Sequence, residues 1–78
     1  MDQEIVVYTG IRCMPCESVK AYLKEHDVPF VEKNVHKDKV ARAELLGMGY
    51  LSIPVTIIGD KHLQGFEPEQ LKEALGIG

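Results

Sequence analysis

The feature that most constrains this chain is the run Cys13-Met14-Pro15-Cys16, which holds both of its cysteines and follows closely on an apolar stretch, Ile5-Val6-Val7-Tyr8. A strand that ends in a turn and opens a helix at Cys-x-x-Cys puts one thiol at the positive end of the helix dipole. The unsatisfied amide hydrogens there favour the thiolate, which is the reactive form. A spacing of three residues brings the second sulfur within reach to close a disulfide. The pattern reads as a redox site, and most of the remaining chain reads as its support.

The 78 residues make one small domain, 1–78, of a size that buries only about 60% of the surface its unfolded chain exposes. With 9 basic against 12 acidic residues the chain is mildly acidic, which argues against a nucleic-acid binder. No apolar run approaches the roughly 18 residues of a membrane span. The start, Met1-Asp2-Gln3-Glu4, lacks the basic region of a secretory signal. The expected location is therefore cytoplasmic, where cysteine pairs are catalytic or metal-binding more often than structural. A structural disulfide closing so short a loop is worth only about 2 kcal/mol. Zinc wants four ligands, and the further candidates His26, His36 and His62 stand at no recognised ligand spacing. All three read as surface residues, and no metal site is expected.

The order of elements follows from periodicity and punctuation. Glu4 to Tyr8 reads as a buried strand ended by Thr9-Gly10. From Met14 to His26 the pattern is helical, with Cys16, Val19 and Leu23 on one stripe and Pro15 in the first turn. Asp27-Val28-Pro29 breaks it, and Phe30 to Val35 is a second strand. Asp38 caps a helix running to Met48, with Val40, Ala43 and Leu46 or Gly47 expected inward and Gly49 as a left-handed stop. Val55 to Ile58 and Lys61 to Gln64 form a hairpin about Gly59-Asp60. A last helix starts near Pro68, turns Leu71, Ala74 and Leu75 to the core, and stops at Gly76. The fold class is α/β, in the order β-α-β-α-β-β-α: a parallel first pair and a central four-stranded mixed sheet with helices on both faces.

A strand, Cys-x-x-Cys, a helix and a later Ile53-Pro54 before an apolar strand resembles the thioredoxin fold. The short length and the lack of a strand–helix unit ahead of the first strand are similar to the glutaredoxin branch. Within it the chain resembles the NrdH-redoxins, through Tyr8-Thr9, Asn34-Val35, Gly49-Tyr50 and Gly65-Phe66-Glu67-Pro68. Glutathione-dependent glutaredoxins carry Gly-Gly and two acidic residues at the last of these. Three departures from the family pattern stand out. Met14-Pro15 is neither common dipeptide between the cysteines. Gly10 stands where glutaredoxins often hold a glutathione carboxylate with lysine. Leu63 replaces an aromatic residue.

The resemblance implies a thiol–disulfide oxidoreductase that reduces protein disulfides. It implies a thioredoxin reductase or glutathione as electron donor, a ribonucleotide reductase as target, no tightly bound cofactor, and a monomer. Cys13 is the expected nucleophile, with Arg12 adding positive charge, and Cys16 resolves the mixed disulfide. Met14 and Pro15 tune the pair. Pro54 is expected to be cis and to face it, with the Ile53 backbone offering a rung to a bound peptide or glutathione. Gly65, Phe66 and Glu67 complete the expected substrate-binding set. The first strand holds no carboxylate to take a proton from Cys16, and no tryptophan precedes the pair. Tyr8 and Phe66 are each read as either core or site flank. A metal or iron–sulfur carrier needs only one active cysteine, and a pure interaction module needs neither.

Overall fold

The computed structural model describes residues 4–76. Met1, Asp2 and Gln3, read above for a leader, lie outside the described residues, as do Ile77 and Gly78. The elements are β1 (Ile5–Thr9), α1 (Met14–Glu25), β2 (Val31–Asn34), α2 (Lys39–Gly47), β3 (Val55–Ile58), β4 (Lys61–Gln64) and α3 (Pro68–Leu75). The sheet runs β2-β1-β3-β4. β1 pairs parallel to β2 and antiparallel to β3, and β3 and β4 form the hairpin. This is the thioredoxin fold.

β1 is apolar from Ile5 to Tyr8 because both its faces are covered. Ile5 and Val7 point to one side and pack with Ile58 against Val19 and Leu23 of α1 and Leu71 of α3. Tyr8 points to the other and packs with Val35 and Val55 against Ala41 and Leu45 of α2. The alternation of a single strand thus assigns α1 and α3 to one layer and α2 to the other.

The helix ends are set locally. Asp38 Oδ1 accepts the amides of Val40 at 2.9 Å and Ala41 at 3.2 Å, which starts α2. It stops in a Schellman turn: Tyr50 N–H donates to Leu45 O, Gly49 N–H donates to Leu46 O, and Gly49 takes φ 90.

The inward face of α2 differs from the sequence expectation. Ala41 and Leu45 are buried, whereas Val40 is 67% and Leu46 46% exposed, and Ala43 and Gly47 also lie outside. Apolar residues surround this helix, so its periodicity selects no face. The sheet surface of Tyr8, Val35 and Val55 takes the pair one turn apart that meets it, Ala41 and Leu45. The second strand is also shorter than read, and Val31 on it is exposed.

Candidate redox site

β1 ends at Thr9, Gly10 follows, and Ile11-Arg12 make the turn that delivers Cys13 to the mouth of α1. Cys13 is the N-cap of that helix, with extended backbone (φ −119, ψ 98). Its Sγ accepts the Cys16 amide at 3.2 Å, the role an oxygen plays in an ordinary cap. A sulfur held there sits on an orphan amide at the positive end of the helix, the placement that favours a thiolate once the pair is reduced. Pro15 fills the first turn at no cost in lost hydrogen bonds. Cys13 and Cys16 are joined in a disulfide with a Cα–Cα distance of 5.2 Å. Cys13 is partly exposed and Cys16 is fully buried, so only the first sulfur is open to attack.

Beside the disulfide lies a groove of about 430 Å³, lined by Met14, Pro15, Ser18, Ile53, Pro54, Gly65 and Phe66. Six of these were singled out in the sequence; Ser18 was not. It sits one turn beyond Met14 on α1, a spacing that would have found it. The Ile53–Pro54 peptide is cis. The Gly65 amide donates to Pro54 O at 2.8 Å, tying the end of β4 to the proline. Phe66 is half-buried, packs against the α1–α3 core, and stands edge-on to Tyr22 with ring centres 6.3 Å apart. Met14 is 77% exposed at the rim.

Arg12 and Glu67 are not among the groove's lining residues. Arg12 is an exposed turn residue with φ 53, and Glu67 is the exposed N-cap of α3, whose side chain makes no cap bond. Tyr8 is core. Its hydroxyl donates to Glu44 at 3.0 Å, and burial, then that bond, push its phenol up. His26, His36 and His62 are exposed. Among the described residues no group of three or more His, Cys, Asp or Glu side chains is arranged as a metal cluster, and no helix is long and apolar enough to cross a membrane.

Two features escaped the sequence. Gly10 is enclosed: a Cβ there would run into Ile53 Cδ1 and the His36 ring. And a carboxylate does reach the end of β1, from the neighbouring strand. Glu32 of β2 accepts from Thr9 Oγ1 at 2.8 Å and from Lys20 Nζ at 2.9 Å, while Lys20 also pairs with Glu17 at 3.0 Å. The Lys20 bond holds the Glu32 carboxyl below its ordinary value, and the same bond raises Lys20.

Residues 5–63 match the family model described as Glutaredoxin. The glutaredoxin-like protein NrdH of Lactococcus lactis subsp. cremoris is 33% identical over 67 residues, covering 86% of this chain and 93% of that protein. NrdH of Escherichia coli strain K12 is 30% identical over 67 residues, covering 86% and 83%. Among solved structures, a mutant of the thioredoxin-like protein BC3987 superimposes with a TM-score of 0.91 at 37% identity, over 96% of this chain and 97% of that one. The NrdH-redoxin from Escherichia coli superimposes with a TM-score of 0.83 at 28% identity, over 90% and 92%. With its Cys-x-x-Cys pair at the mouth of α1, the chain belongs to the glutaredoxin family and is a thiol–disulfide oxidoreductase.

Proposed function

We propose that this oxidoreductase is a dithiol electron carrier of the NrdH-redoxin kind. It reduces protein disulfides, is re-reduced by a flavin-dependent thioredoxin reductase, and has a ribonucleotide reductase as target. The Cys13 thiolate attacks a substrate disulfide, one substrate sulfur leaves as thiolate and takes up a proton, and a mixed disulfide remains. Cys16 loses its proton, attacks Cys13 Sγ, and releases the second substrate thiol. Two protein thiols are oxidised to a disulfide and one substrate disulfide is reduced to two thiols. The sulfurs carry the electrons, so no tightly bound cofactor is needed. A reducing compartment such as the cytoplasm suits this cycle.

The enclosure of Gly10 carries the choice of donor. A side chain at that position meets Ile53 and His36 at once, so the place of the lysine that anchors glutathione in many glutaredoxins is filled here by the protein itself. The Gly65-Phe66-Glu67-Pro68 segment supports the same reading, because it lines the groove with an aromatic ring where glutathione-dependent relatives carry acidic residues. The Escherichia coli NrdH-redoxin is described as having a thioredoxin-like activity profile. An extended substrate segment running over Phe66 and Met14 can pair its backbone with Ile53 beside the cis proline.

The test supplies NADPH with either thioredoxin reductase or glutathione plus glutathione reductase, and follows reduction of a protein disulfide. Turnover with the flavoenzyme alone is expected. Turnover with glutathione alone would reverse the assignment of the donor.

A further inference from the structure

His36 lies between β2 and α2, and the redox chemistry above makes no use of it. Asn34 Oδ1 accepts its backbone amide at 2.9 Å, which fixes the residue at the end of the strand. Its ring reaches the turn before Cys13, where Nδ1 accepts the Ile11 amide at 2.8 Å. The same ring closes over Gly10 opposite Ile53, the residue preceding the cis proline.

The turn it grips is one that needs support. Arg12 holds φ 53, a left-handed conformation unfavourable for a residue with a Cβ, and such residues persist only where their surroundings over-determine them. Arg12 leads directly into Cys13, whose cap geometry depends on where the turn leaves it. If the Ile11 amide loses its acceptor, the turn relaxes and the Cys13 sulfur drifts from the Cys16 amide.

We propose that His36 is a positioning residue of the redox site: by accepting the Ile11 amide it fixes the Ile11–Arg12 turn and holds the Cys13 sulfur at the helix mouth.

An accepting Nδ1 carries no hydrogen, so the bond requires a neutral ring with its proton on Nε2. Protonation puts a donor where an acceptor is needed. Arg42 of α2 and Tyr50 share a cleft of about 310 Å³ with His36. Lys37 and Asp38 follow it in the chain, and Arg12 follows the bonded amide. Tyr50 shares a 2.8 Å hydrogen bond with His62 Nδ1, which makes His62 the second imidazole to control.

The experiment measures site-resolved alkylation of Cys13 by iodoacetamide in the reduced full chain at neutral pH, for wild type, H36A and H36N. Asparagine places Oδ1 the same number of bonds from the backbone as Nδ1, accepts equally well, and cannot be protonated. H36A is expected to slow alkylation about fivefold, the equivalent of one neutral hydrogen bond, and H36N to stay within about twofold of wild type. On acidification the Ile11 amide resonance is expected to move with the His36 ring in wild type and in H62N, and to stay in place in H36N. Wild-type alkylation in H36A, or an H36N as slow as H36A, overturns the proposal. It rests on the thiol chemistry of Cys13 but not on the donor. Alkylation needs no reductase, so its failure leaves the donor assignment standing.

Discussion

The amide of Cys16 donates to the sulfur of Cys13 across 3.2 Å, so the resolving residue serves the attacking one through its backbone as well as its thiol. The two services can be separated. C16S removes the thiol and keeps the amide. It is expected to leave Cys13 alkylation within about twofold of wild type, while turnover stops and mixed disulfides with substrate accumulate. C13S is expected to form none. Intact-mass spectrometry after mixing with an oxidised protein substrate distinguishes the outcomes, and trapping by C13S would mean that the two roles are exchanged.

Gly10 has no room for a side chain. Alanine there must displace the Ile53 Cδ1 terminus and a His36 ring already held by the Ile11 amide. Overpacking of this kind costs about 1–3 kcal/mol. Urea denaturation of G10A is expected to show a lower midpoint with an unchanged slope. The substitution also disturbs the residue beside Pro54, so peptide-disulfide reduction is expected to fall with it. A midpoint equal to wild type would mean that the enclosure is not tight.

The Glu32 carboxyl is held below its ordinary value by Lys20 first, with Thr9 adding to it. A depressed carboxyl contributes stability that is fully present above its unfolded value, about 4.3, and lost as the pH falls through the lower folded value. E32Q is therefore expected to be less stable than wild type at neutral pH. The gap between them should close only below about pH 4. Because the pair is partly exposed, added salt is expected to narrow the gap at neutral pH as well. Thermal melts across pH 3–7 check both, and a gap that widens in acid would reverse the sign.

Thr56 is fully buried on β3, and its hydroxyl has no hydrogen-bond partner among the described residues. An orphaned buried hydroxyl costs about 1–3 kcal/mol, and valine has nearly the same shape without it. T56V is expected to raise stability by about 1 kcal/mol, measured by chemical denaturation of the oxidised protein. A loss of stability would show that the hydroxyl has a partner in solution.

Where the signal is local, the sequence carries it. The order of seven elements, the Asp38 cap and the Gly49 stop all follow from side chains within a few residues of the backbone they control. The face of α2 does not. Val40, Ala41, Ala43, Leu45 and Leu46 are all apolar, and only the sheet opposite decides that Ala41 and Leu45 go in. The same limit hid Glu32. A search for a carboxylate within β1 finds none, because the one that reaches Thr9 arrives across 23 positions from the next strand.

By itself the sequence determined which residue opens the helix: a strand, a turn and a proline-started helix make Cys13 the N-cap of α1. Only the tertiary structure decided what stands over its sulfur. Met14, Ile53 and Phe66 meet in one groove, and His36 reaches Ile11 across 25 positions, because parallel pairing of β1 with β2, antiparallel pairing of β1 with β3 and the β3–β4 hairpin bring four connecting segments to one end of the sheet. Caps and periods are written in neighbouring residues, whereas strand register is a cooperative property of the whole packed sheet, and it is register that gathers a site from distant segments.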